Sequence, residues 1–195
     1  LKINDIAFGF TTCTRTEATA DTSLKSFRVA FDADIVVHND TELRGVVYSW
    51  QTLAQTLLWQ KKPYLCIVQD DFTYTVHARE AVERIEFKEA DGYYNLFTAQ
   101  QPGIIDGLKD GWNAVMPLLE VWGAMWVLRS DTVERMLYCD KFIHLLGDRR
   151  TGLDFCVDKW IDDQRLTRYV HSPSLAIHIG RSSTMNHDFV ETHGW

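Results

Sequence analysis

Tyr64-Leu65-Cys66-Ile67-Val68-Gln69-Asp70-Asp71-Phe72 is the stretch from which the fold is read. Tyr64 to Val68 form a short apolar run that starts after Pro63 and stops at two adjacent carboxylates, which predicts a strand buried on both faces. Upstream, the apolar run Ile3–Phe10 predicts a first strand, and Asp34–His38 a second, stopped by the turn pair Asn39-Asp40. Between the strands, Leu24, Phe27 and Ala30 have helical spacing within Ser23–Ala30. Within Tyr48–Trp59, Leu53, Ala54, Leu57 and Leu58 share one helix face. Strands alternating with helices predict βαβ units, hence an α/β fold with a mainly parallel central sheet flanked by helices. Ligands of such sheets bind beyond the carboxyl ends of the strands. Three ends deliver Thr11–Arg15, His38–Asp40 and Gln69-Asp70-Asp71, all polar and all expected at one crevice.

Composition sets the bounds around that crevice. Of 195 residues, 46% are hydrophobic and 12% aromatic, enough for a core without disulfide or metal staples. No repeat, low-complexity run or Pro/Gly-rich linker divides the chain, so residues 1–195 are expected to form one domain. A formal charge of −7 excludes a broad basic nucleic-acid surface and leaves room only for a local basic patch. Cys13, Cys66, Cys139 and Cys156 contain no CxxC pair and read as reduced thiols of a cytoplasmic protein. No apolar run reaches the roughly 18 residues of a membrane helix, and the start has no charged-then-apolar signal pattern. Membrane, disulfide-framework and disordered classes are thereby excluded.

The Asp70-Asp71 pair has two readings. Either the backbone turns there with Asp70 capping the next segment, or a divalent cation offsets the repulsion and bridges to a phosphate, as Mg²⁺ or Mn²⁺ does with oxygen ligands.

The ordered set of motifs resembles the GT-A glycosyltransferases. The parts that carry the resemblance are a strand running into Thr11-Thr12 and Arg15, a second strand ending in Asp40, and the third ending in Gln69-Asp70-Asp71. Downstream, Trp122–Arg129 resembles the family's Gly-Ala strand, followed by a helix Asp131–Leu137 capped by Ser130 or Asp131. Leu153–Trp160 resembles its acidic catalytic helix, and Pro173–Gly180 with Ser182-Ser183 its terminal strand. The family's metal motif is Asp-any-Asp, and here Gln69 takes the first place, so Asp71 is the better candidate for the direct ligand.

The resemblance implies a nucleotide-diphosphate sugar, a UDP-sugar first, as donor, with Mn²⁺ or Mg²⁺ held by Asp71, Asp70 and His178. It implies donor contacts from Thr11, Thr12, Arg15, Asp40, Gln69, Asp70, Trp122, Gly123 and Arg181. Asp154, with Asp158 as the fallback, would be the base; at spacing i, i+4 a helix places both on one face. Each assignment has a plainer counterpart: an Asn-Asp turn for Asp40, a satisfied core histidine for His178, a solvated acidic face for Asp154 and Asp158. Trp112 and Trp122 are candidate sugar platforms, Trp126 is expected in the core, and Phe97–Gly111 reads as a flap over the cleft.

Length, the Gln-Asp-Asp form and Pro173–Gly180 further resemble the compact DNA-modifying glycosyltransferases associated with base-oxidising dioxygenases, found in phages and related to the base J glucosyltransferase. That implies 5-hydroxymethylpyrimidine DNA as acceptor, met by Arg149, Arg150, Arg168 and Arg181. A glycan, polysaccharide or protein hydroxyl is the alternative acceptor. A nucleotidyltransferase or a non-catalytic sugar-binding module are the other classes. The first of these would ordinarily have a Gly-rich basic loop after the first strand, and here no glycine follows Gly9 in that loop.

Overall fold

The computed structural model describes residues 1–13, 17–98, 107–115, 125–147 and 152–179. In chain order the elements are β1 (Ile6–Cys13), α1 (Glu17–Phe31), β2 (Ile35–Asp40), α2 (Val46–Leu58), β3 (Tyr64–Gln69), β4 (Phe72–Tyr74), α3 (Ala78–Glu83), β5 (Asp91–Asn95), β6 (Gly111–Val115), β7 (Trp126–Arg129), α4 (Ser130–Leu137), α5 (Asp140–Gly147), α6 (Leu153–Asp163), β8 (Thr167–Ser172) and β9 (Ala176–His178). Among the described residues, seven strands form one sheet in the order β2-β1-β3-β7-β5-β8-β6, and β4 pairs with β9 in a separate ribbon. β2, β1, β3, β5 and β8 run in one direction, while β7 and β6 are reversed. The mainly parallel sheet expected from the alternating pattern is therefore present, with two reversed strands.

Both faces of the sheet are covered, which explains why β3 is apolar without alternation. Ile6, Phe8 and Phe10 of β1 pack with Cys66 and Val68 of β3 against Phe27 and Phe31 of α1. Ala7 of β1, with Leu65 and Ile67 of β3, packs on the opposite face against Trp50, Leu53 and Leu57 of α2. Each fully buried side chain of this size contributes about 1.5–3 kcal/mol. α2 approaches β1 so closely that a Cβ at Gly9 would lie 2.6 Å from a Leu53 methyl, so only glycine fits there. Among the described residues no helix is long and apolar enough to cross a membrane.

Several element limits differ from the sequence expectation for a common reason. Thr11, Thr12 and Cys13 continue β1, and Asn39-Asp40 continue β2, because the parallel ladder pairs Thr11 with His38 and Cys13 with Asp40. Ladder hydrogen bonds thus override the turn preference of Asn-Asp. α1 starts earlier than Ser23, through a polar stretch that apolar spacing does not reveal. No side chain caps α4: the Ser130 hydroxyl donates to the Lys62 carbonyl, and Asp131 pairs with Arg129. Of the expected flap, Phe97 and Thr98 are buried and Gly111 opens β6; residues 99–106 lie outside the described residues.

Candidate functional site

The register places three strand ends side by side: Thr11 stands opposite both His38 of β2 and Gln69 of β3. The carboxyl ends of β5 and β8 lie on the same edge of the sheet, since both run parallel to β3. Arg168, second in β8, pairs with Asp158 and Asp162 late in α6. α6 therefore runs back along β8 and carries its amino-terminal Asp154 toward that edge. The convergence expected from the sequence is an arrangement of this sheet.

The two carboxylates after β3 diverge. Asp70 accepts the Thr12 hydroxyl at 2.7 Å and, at 3.4 Å, the Cys13 backbone N–H, so it braces the end of β1. Asp71 instead meets His178, with Oδ2 and Nε2 3.3 Å apart in a largely buried contact. The β4–β9 ribbon makes this meeting across 107 positions of sequence. It pairs Phe72 directly with His178, and the Asp71 carbonyl accepts the Ile179 N–H at 2.7 Å. The Phe72 ring stands edge-on to the imidazole at 5.0 Å and to Phe97 at 4.9 Å, which fixes the imidazole plane. Asp70, Asp71 and His178 do not form one donor set: among the described residues no three His, Cys, Asp or Glu side chains are grouped to hold a metal. A carboxylate oxygen beside an imidazole nitrogen is nonetheless a two-ligand set of the kind a Mn²⁺-type cation accepts, with its other ligands coming from substrate and water.

The remaining candidates at the edge are more structural than expected. Thr11 is buried and its hydroxyl donates to the Val68 carbonyl at 3.3 Å, while Gln69 is half-buried at the last position of β3. Asp40 is 4% exposed, and its two oxygens accept the N–H groups of Arg44 (3.0 Å) and Gly45 (2.7 Å). Burial alone would raise its pKa, but these donors and the Ser49 hydroxyl hold it below the ordinary carboxylate value. Asp40 thus organises the turn into α2, where Gly45 has φ +102°. His38 is two residues before Asp40 on β2, and residues two apart on a strand share a face. Its buried Nε2 has no hydrogen-bond partner among the described residues, and its ring lies 6.1 Å from Tyr48, over which Arg44 stacks at 4.7 Å.

On the acidic helix, Asp154 is half-exposed in the first turn, whereas Asp158 is 5% exposed, bonded by the Tyr93 hydroxyl and paired with Arg168 at 3.0 Å. The pair i, i+4 shares a face, but one turn down that face enters the core. Asp158 is therefore corrected from fallback base to partner in a buried ion pair. Arg168, 1% exposed, is likewise corrected from the basic patch that DNA would meet. Trp112 is no open sugar platform: its indole N–H donates to the Ala81 carbonyl at 3.0 Å, and its ring packs on Tyr94 and His171. Trp126 is in the core. Arg15, Trp122, Gly123, Arg149, Arg150, Arg181, Ser182 and Ser183 lie outside the described residues.

His171 adds a pH dependence beside this edge. Burial lowers its pKa below 6.5, although Nδ1–H donates to the Pro173 carbonyl at 2.7 Å. The unfolded chain then binds more protons than the native one, so stability falls as pH is lowered from about 6.5 toward the native pKa. Urea melts between pH 8 and pH 5 should show this loss, and His171→Gln should flatten it.

No family model matches the chain, and no curated protein matches it in sequence. Solved structures do match. A glycosyltransferase involved in the glycosylation of the major capsid of PBCV-1 superposes with a TM-score of 0.56 at 9% identity, covering 90% of this chain and 95% of that one. A197 from STIV gives 0.52 at 13% identity, over 88% and 85% of the two chains. A putative glucose-1-phosphate thymidylyltransferase from Bacillus anthracis gives 0.51 at 10% identity, over 87% and 69%. At such identities the likeness is one of architecture, and the chain has the GT-A-like α/β fold.

Proposed function

We propose that this chain, acting as one domain, is a glycosyltransferase that moves a sugar from a nucleotide diphosphate, a UDP-sugar first, to a hydroxyl acceptor. The observation that carries the reading is the Asp71–His178 pair, brought to the carboxyl end of β3 by its own two-stranded ribbon on a GT-A-like sheet. Similarity to a glycosyltransferase and to a sugar nucleotidyltransferase supports a nucleotide-sugar cleft at this edge. Asp71 and His178 would hold a Mn²⁺ or Mg²⁺ ion, which when bound supplies positive charge to the departing diphosphate.

The chain's own residues do the rest. Asp70 fixes the end of β1 through the Thr12 hydroxyl and the Cys13 N–H, so that Thr12 and Cys13 are held at the cleft edge. Gln69 offers a neutral amide to a ribose hydroxyl. His38 and Tyr48 offer an imidazole and an aromatic face at the β2 end. In transfer with inversion, the acceptor oxygen forms a bond to the anomeric carbon as the bond to the diphosphate oxygen breaks, and Asp154 takes the hydroxyl proton.

The resemblance in the sequence extends the proposal to the hydroxymethyl oxygen of 5-hydroxymethylpyrimidine in DNA, within a phage-infected cytoplasm. The test is incubation of duplexes bearing 5-hydroxymethylcytosine or 5-hydroxymethyluracil with a panel of nucleotide sugars and Mn²⁺, followed by mass analysis of the nucleosides. A sugar-sized mass gain on the modified base alone is expected. Donor turnover without that product would move the acceptor to a glycan or protein hydroxyl. Formation of nucleotide sugar from sugar phosphate and nucleoside triphosphate would instead identify a nucleotidyltransferase, and binding of free sugar alone a non-catalytic module.

A further inference from the structure

α6 begins at Leu153, and the residue in front of it is Gly152, whose carbonyl accepts the Cys156 N–H at 3.1 Å. Ser, Thr, Asp or Asn is favoured at such a position, where a side-chain oxygen caps a free N–H of the first turn. Gly152 gives α6 no such cap. Nor does the backbone call for glycine: φ −68° and ψ 157° are open to any residue. What glycine supplies here is space. Among the described residues beyond its chain neighbours, a Cβ at Gly152 would meet Asp154 alone, with Oδ1 at 2.5 Å and Cγ at 3.7 Å. A carbon cannot stand 2.5 Å from that oxygen, and the carboxylate, at the end of a flexible side chain, is the part that would move.

The carboxylate lies over Gly152 in company with the first turn of the helix. Its Oδ1 accepts the Phe155 N–H at 3.1 Å. N–H groups of a first turn lack intrahelical partners and carry the positive end of the helix dipole, so they favour a carboxylate. Oδ1 is also the atom that a Cβ at position 152 would strike. The Asp154–Phe155 hydrogen bond and a side chain at 152 therefore compete for one place.

We propose that Gly152 is a positioning residue for Asp154. By carrying no side chain it lets the carboxylate fold back over the first turn of α6, in the orientation that takes the proton of the acceptor hydroxyl. The assignment rests on Asp154 as the base of the transfer described above. A methyl group at 152 turns the carboxylate off the Phe155 N–H and leaves the fold intact.

The test compares the wild-type full chain with Gly152→Ala, Asp154→Ala and the double variant. The first measurement needs no substrate and follows the Phe155 amide resonance in ¹H–¹⁵N spectra at neutral pH. Gly152→Ala should move that resonance several-fold less in the Asp154→Ala background than in wild type, since no carboxylate is left to displace. Its melting temperature should be unchanged or slightly raised, as for a glycine replaced where φ and ψ suit alanine. With UDP-sugars and a 5-hydroxymethylcytosine duplex, kcat of Gly152→Ala should fall about ten- to a hundredfold at unchanged donor KM, the effect of a misplaced base. Equal movement of the Phe155 resonance in both backgrounds, or a lowered melting temperature in Gly152→Ala, would overturn the proposal. So would full turnover of Gly152→Ala beside an inactive Asp154→Ala, which leaves Asp154 as the base. Full turnover of Asp154→Ala would overturn the base assignment itself, and the positioning role with it.

Discussion

Asp71→Asn should lower sugar transfer by at least about a hundredfold, the effect of roughly 3 kcal/mol of lost charge stabilisation in the transition state. Asparagine keeps the size of the side chain and can still meet His178, which lies 3.3 Å from the Asp71 carboxylate. Folding should therefore be close to normal, and far-UV circular dichroism with a melting curve checks this. The loss should be specific to the cation: nucleotide diphosphate should still bind Asp71→Asn, but Mn²⁺ should no longer tighten that binding. A variant that keeps both Mn²⁺-enhanced binding and full turnover would show that Asp71 serves the β4–β9 ribbon alone.

Arg168→Ala should cost about 3–5 kcal/mol of stability, the usual penalty for removing one partner from a buried ion pair. Arg168 is 1% exposed, with Asp158 at 3.0 Å and Asp162 at 3.3 Å, and the Tyr93 hydroxyl donates to Asp158 from β5. Burial pushes the Tyr93 hydroxyl well up, so it remains a donor. Truncating the arginine removes the guanidinium that the Asp158 and Asp162 carboxylates share under the sheet. Urea melts of Arg168→Ala and of Asp158→Asn measure the effect, and the arginine variant should be the less stable of the two. A loss below about 1 kcal/mol would place this pair with exposed surface pairs instead. Because the brace joins α6 to β8, its loss should also disturb Asp154 at the other end of that helix.

The first seventy residues were the most legible part of the chain. There, apolar spacing marks each helix, and β3 is an apolar run because both sheet faces are covered. The strand ends were harder. Thr11, Thr12 and Asp40 are polar and read as loop or turn, yet the ladder between β1 and β2 continues to Cys13 and Asp40. A pattern of side chains does not register hydrogen bonds made by backbone alone. The site was legible in outline, as polar residues after three strands, but not in how its carboxylates divide. Asp70 and Asp71 are neighbours in sequence, and their separation depends on Thr12 and His178, which lie 58 positions before and 107 after their respective partners. The same limit applies to Asp158. Helical spacing places it with Asp154, and only the packing of α6 on β8 shows that one residue meets solvent and the other Arg168.

Binding of UDP and other nucleoside diphosphates to the full chain, with and without Mn²⁺, tests the central claim most directly. Free diphosphate at ten times its dissociation constant should stabilise the native state by about 1.4 kcal/mol. For a chain of this size that corresponds to a rise in melting temperature of about 3–6 °C. The rise should be larger with Mn²⁺, and the Mn²⁺ increment should vanish in Asp71→Asn. No shift with any nucleoside diphosphate at millimolar concentration, with or without the metal, would contradict a nucleotide-sugar cleft at the carboxyl ends of β1, β2 and β3.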